Sequence, residues 1–185
     1  MATQDFFELS ATIDATAMQV LFAFVDAQAI KTWWRAKNAV VQPRPGGLFV
    51  VEWEDGAHGT DETLGPTGGV LAGILDRSMG GHFVHFGALH WLSPKGEVFG
   101  PTRLEVDVFS KNDPRRKPSL VRLRATGFQA GPKWERYYDV TLRAWEKTLL
   151  ELKTYCETAA PADADEKDLG GAYLQEAVLR RRPIS

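Results

Sequence analysis

The sequence predicts an α+β protein, an antiparallel sheet whose helices are set apart from the strands. Three features predict it. Seven segments alternate apolar and polar residues at the period of a strand, two short helical stretches fall between the first and second of them, and one long amphipathic stretch closes the series. A sheet of that width twists and curves. The final helix is the only element large enough to cover its concave side.

The first strand is DFFELSATI, residues 5–13, with Phe7, Leu9, Ala11 and Ile13 on one face and Glu8, Ser10 and Thr12 on the other. Asp14 or Thr16 can cap the next segment, where Ala17, Val20, Leu21, Phe24 and Val25 fall at helical spacing. A second helical stretch runs from about 28 to 36. There Ile30, Trp33 and Trp34 stand at i, i+3 and i+4, so both indoles lean toward one apolar side. Residues 38–42 read as a strand, and Arg44-Pro45-Gly46-Gly47 as a type II turn, because glycine at its third position takes a positive φ without steric cost. LFVVEWE follows, with Phe49, Val51 and Trp53 sharing a face. The polar, glycine-rich loop DGAHGTDETLGPTGG, residues 55–69, is long enough to act as a flap.

Two apolar runs, 70–78 and 82–92, flank Met79-Gly80-Gly81 as a hairpin. TRLEVDVFS directs Leu104, Val106 and Val108 inward, and SLVRLRATGF directs Val121, Leu123 and Ala125 inward. Pairing these two strands sets acids opposite arginines on the wet face. From Pro132 to about Glu157 the residues Trp134, Tyr138, Thr141, Leu142, Trp145, Leu149, Leu152 and Cys156 recur at steps of three and four. The composition then changes. Residues 1–157 are expected to form one domain, and 158–185 an acidic linker with a short C-terminal helix or tail.

The 185 residues are 44% hydrophobic and 25% charged, the proportions of a globular chain with a sizeable core, and the formal charge of −2 supplies no field for nucleic acid. One cysteine, Cys156, fits a reducing compartment. The opening MATQDFFELS lacks a basic and then apolar leader, and no window is apolar enough for a membrane span. A cytoplasmic location is expected.

Catalytic and metal-binding signals are sparse. His82, His85 and His90 lie close in sequence, but along a strand His82 and His85 face opposite ways, and His82 and His90 stand roughly 27 Å apart. Metal ligands must converge within a few ångströms, so no metal site is expected, and no cofactor motif is present. Glu52/Glu54 and Glu105/Asp107 fall on the wet face, where nothing raises a carboxyl pKa. Cys156 ends a core stripe. The basic runs NDPRRKP (112–118) and RRRP near the C-terminus read as a solvated loop and tail. Trp33 and Trp34 divide between core and pocket wall, with Trp34 expected at a cavity mouth. Phe49, Trp53, Tyr138, Thr141 and Trp145 face the expected interior, and His90 is the candidate polar group inside it.

The strand–helix–helix–strand order, Trp33-Trp34, the Arg44–Gly47 turn with the strand ending in Trp53, and Ala144-Trp145 in the last helix together resemble a known family. They resemble the AHSA-type branch, activators of a heat-shock chaperone ATPase, of the START/SRPBCC superfamily. The resemblance covers about residues 5–157. Branch members commonly carry glycine where this chain has Ala144, and the segment 82–92 is longer and richer in histidine than theirs. The resemblance implies a Bet v-like helix-grip fold, in which a curved seven-stranded sheet wraps a long C-terminal helix around an apolar cavity. It also implies a small hydrophobic or aromatic ligand, and the residues whose faces turn them toward such a cavity are Trp34, Phe49, Trp53, His90, Tyr138, Thr141 and Trp145. Two alternatives stay open. One is a cyclase- or dehydratase-type enzyme with His90 and Tyr138 handling protons. The other is a protein-interaction module, homodimeric or engaging a partner through the C-terminal segment.

Overall fold

In the computed structural model the described residues are 5–110 and 113–161, so most of the expected linker and the terminal helix lie outside them. The chain opens with β1 (Phe6–Ile13), which buries Phe7 and Ile13 and leaves Phe6, Glu8, Ser10 and Thr12 exposed. Helix α1 (Ala17–Val25) starts at Thr16, whose hydroxyl accepts from the Gln19 N–H (3.2 Å) while the Gln19 side chain accepts from the Thr16 N–H (3.0 Å). Of the two caps the sequence offers, this reciprocal pair makes Thr16 the one used. Asp26 ends α1 and caps α2 (Ala27–Trp33), accepting from the Ala29 N–H at 2.7 Å. That helix stops short of the expected 36 because Arg35 turns left-handed, φ 52°.

β2 (Asn38–Val41) and β3 (Gly47–Trp53) are joined by the expected turn, with Gly46 at φ 74° and the Gly47 N–H donating to the Arg44 carbonyl at 2.7 Å. The loop after β3 holds a small hairpin of β4 (Thr60–Asp61) and β5 (Gly65–Pro66). Then follow β6 (Gly69–Met79), β7 (Phe83–Leu92), β8 (Val98–Ser110), β9 (Ser119–Thr126) and α3 (Pro132–Thr158).

Seven strands form one curved antiparallel sheet in the order β1-β9-β8-β7-β6-β3-β2. β1 sits beside the last strand and β2 lies at the far edge, so α1 and α2 carry the chain from one edge to the other. Glu105 pairs with Arg124 and Asp107 with Arg122 across β8 and β9, as the alternation requires. The Arg122–Asp107 ion pair closes to 2.7 Å.

The interior is not uniform. Where α1 and α2 meet the sheet, Phe24, Ile30, Phe49, Phe86, Leu75 and Leu152 are fully buried and packed together. Among the described residues, the space between sheet and helix opens toward the other end, beside the loop after β3.

Candidate functional site

Aromatic side chains frame the opening on two sides. The indoles of Trp33 and Trp34 stack at 5.0 Å, but only one points outward from the core. Trp33 donates to the Ala23 carbonyl at 2.7 Å and belongs to the interior of α1 and α2. Trp34 meets Trp53 edge-on at 5.0 Å and Trp145 at 4.8 Å. The Trp53 indole donates back to the Trp34 carbonyl at 2.9 Å, which fixes β3 against the end of α2. On the opposite wall Tyr137 lies flat against Trp91 (5.3 Å, 8°) and Phe99 (4.6 Å, 21°), and Trp91 donates to the Gly68 carbonyl at 2.6 Å. Each indole N–H named here has a backbone acceptor, so these rings are held rigidly.

Between the walls lies a pocket of about 330 Å³, floored by Leu71, Val140, Thr141 and Ala144 and partly open to solvent. The loop after β3 covers it with His58, Gly59, Thr60, Asp61 and Thr67. This flap is closed on itself and tied to α3. Thr67 donates through its N–H (2.9 Å) and its hydroxyl (2.8 Å) to the Gly59 carbonyl. Asp61, almost fully buried, meets Arg136 of α3 at 2.5 Å and accepts from the N–H groups of Thr63 (2.9 Å) and Leu64 (3.0 Å). The Arg136 hydrogen bond holds the Asp61 carboxyl down at about 2, against the opposing effect of burial. His58 lies edge-on to Trp53 at 5.4 Å. Its burial, then the nearby Lys147 charge, lowers its pKa below the usual 6.5, while Glu151 acts the other way. Tyr137 is pushed up to about 12 by burial, although hydrogen bonds with Thr141 and Thr102 favour its anion.

Four of the seven residues expected to touch a ligand converge here: Trp34, Trp53, Thr141 and Trp145. Three do not. Phe49 is fully buried against Phe86 at 4.1 Å, four residues and roughly 13 Å down β3 from Trp53, in the solid end of the core. His90 is exposed, with Nδ1 2.9 Å from the Ala88 carbonyl. The cause is a bulge. A register shift between Phe86 and Leu89 and the left-handed Ala88 (φ 49°) add a residue to β7. Inward positions therefore pass from Val84 and Phe86 to Leu89 and Trp91, and His90 turns out. Tyr138 packs against Phe7 and Phe128, with its hydroxyl donating to the Phe6 carbonyl at 3.3 Å, so its neighbour Tyr137 takes the pocket wall.

Spacing alone also missed Trp91, Tyr137, Thr148 and the Asp61–Arg136 pair. The tryptophan was hidden by the bulge, and the ion pair joins residues 75 positions apart, with no local signal. Among the described residues no three His, Cys, Asp or Glu side chains converge as a metal set. His85 is instead engaged by Arg77 (3.1 Å) and Asp107 (2.8 Å) on the outer face of the sheet. No helix among the described residues is long and apolar enough to cross a membrane.

No family model matches the sequence, and no curated protein matches it. Solved structures do. The Aha1 dimer from Colwellia psychrerythraea is 13% identical, with a TM-score of 0.57 over 84% of this chain and 98% of that one. An HSP90 activator from Plasmodium falciparum is 15% identical, with a TM-score of 0.57 over 80% and 91%. DynU16, a protein of the dynemicin biosynthetic locus, is 13% identical, with a TM-score of 0.62 over 86% of this chain and 50% of that one. The chain thus shares its fold with these proteins.

Proposed function

We propose that this chain is a cytoplasmic SRPBCC-type, AHSA-like binding protein for a small hydrophobic or aromatic molecule, held between the flap, the aromatic walls and α3. The observation that carries the reading is a pocket of about 330 Å³ walled by Trp34, Trp53, Trp91, Tyr137 and Trp145. A cavity of about 150 Å³ accommodates benzene, so this space suits a fused bicyclic ring or a medium alkyl chain. Each 100 Å² of apolar surface withdrawn from water there contributes roughly 2.5 kcal/mol. The rigid rings supply that contact with little ordering cost on the protein side.

Ala144 gives the cleanest test, because it borders the pocket from α3 while remaining half-exposed. Ala144→Phe fills the space without cutting into the solid end of the core. Titration with the uncharged dye N-phenyl-1-naphthylamine is expected to saturate with the native chain and to weaken at least tenfold with the variant. An unchanged affinity in a folded variant contradicts the proposal.

The enzyme alternative needed His90 and Tyr138 to reach one atom inside the pocket, and neither side chain borders it. A partner-protein role is the second reading, supported by the fold shared with an Aha1 dimer and an HSP90 activator. Its C-terminal segment lies largely outside the described residues. Light scattering of the full chain at rising concentration tests it, a dimer mass supporting the reading and a monomer mass at every concentration opposing self-association.

A further inference from the structure

We propose that the molecule taken by this pocket is an amphiphilic anion, its apolar body among the tryptophans and its carboxylate or equivalent group at the rim against Lys147 and Arg143. This inference rests on the binding reading above and adds the chemical class of the ligand.

The argument is one of unmatched charge. Four titratable side chains other than tyrosine border the pocket: His58, Asp61, Arg143 and Lys147. The acid is already committed, with one oxygen on Arg136 and the other on two backbone N–H groups. The cations are not. Lys147 makes no ion pair among the described residues. Arg143 uses only Nε, donating to the Asp139 carbonyl at 3.2 Å, which leaves its terminal nitrogens without a carboxylate among the described residues. Glu151, one turn beyond Lys147, pairs with Arg35 at 3.1 Å. Spacing i, i+4 on α3 brings Lys147 and Arg143 within about 6 Å of each other along the helix axis.

The two cations therefore stand together on one side of a mouth whose interior is apolar. Lys147 also imposes the largest charge effect felt by His58, with which it shares the pocket border. The lowered pKa of His58 leaves a mostly neutral imidazole near pH 7, which can donate a hydrogen bond to an anion without competing with it. A ligand with a negative end would satisfy both cations while remaining partly hydrated, so its charge need not be stripped of water. A neutral ligand gains nothing from them. A cationic ligand meets repulsion.

The test compares naphthalene-1-acetate with its methyl ester, and decanoate with decanol, by isothermal titration calorimetry on the full chain. Each pair shares an apolar body and differs in charge. The acids are expected to bind about tenfold tighter than their neutral partners, an advantage that shrinks when salt is raised from about 0.05 to about 0.5 M. In the double variant Lys147→Gln with Arg143→Gln the preference is expected to vanish, each acid binding no tighter than its neutral partner. Both residues are exposed, so the fold should survive, and Lys147→Arg is expected to retain the preference. Equal binding of acids and neutral partners by the native chain would overturn the anion inference and leave the pocket reading standing. Failure of every compound to bind would overturn both.

Discussion

Trp33 and Trp34 are adjacent, stacked and both more than nine-tenths buried, yet their environments give them different tasks. Trp33→Phe removes the donor to the Ala23 carbonyl inside the core and is expected to cost roughly 1–3 kcal/mol of stability in a denaturant titration, with little change in ligand affinity. Trp34→Ala is expected to weaken binding directly, because its ring joins Trp53 and Trp145 in the wall. Cys156 is the opposite case, a reactive group made inert. Burial pushes its thiol up to about 12, so at pH 8 it should react with a thiol reagent only as fast as the helix opens. Rapid modification of the native chain would contradict its place in the core. Spacing made Trp34, Trp53, Thr141 and Trp145 legible as interior residues. It could not separate Tyr137 from Tyr138, which are only 100° apart on the helix and both meet aromatic neighbours.

The flap is the element on which access depends. Among the described residues, the ion pair that ties it to α3 is Asp61–Arg136, with the Asp61 carboxyl held at about 2. A depressed carboxyl pKa means that the stabilisation is complete above the unfolded value near 3.8 and is lost as pH falls through about 2. At neutral pH the tie is therefore intact. Asp61→Asn removes its charge and is expected to raise amide hydrogen exchange most across residues 59–67 and to lower the melting temperature as the linked stabilisation is lost. Unchanged exchange there would show that the Thr67–Gly59 hydrogen bonds hold the flap alone. The glycines of this loop announced a flap, but nothing local announced its partner on α3. β7 gives the same lesson. Strict alternation from His82 places His90 inward, and one inserted residue at the bulge reverses it. A sequence without its pairing partners does not show where a strand gains a residue.

At the scale of the molecule, the seven strands of the main sheet, the two early helices and the covering helix were legible, because period and order survive without tertiary information, whereas the small β4–β5 hairpin was not. The division of the interior was not. Phe49 and Trp53 share a face of one strand, yet one is sealed in the filled end and the other borders open space. The filled end is the one where α1 and α2 pack on the sheet. Leu152→Ala, in the filled end, is expected to cost about 2–5 kcal/mol of stability and leave ligand affinity unchanged. The central claim is that the open end receives a ligand, and the tryptophans report on it residue by residue. Four of the six, Trp34, Trp53, Trp91 and Trp145, border the pocket. An NMR titration of the indole N–H signals with N-phenyl-1-naphthylamine should move those four most, with Trp33 and Trp134 nearly still. Saturating dye that leaves all six signals in place, or moves chiefly Trp33 and Trp134, would contradict the account.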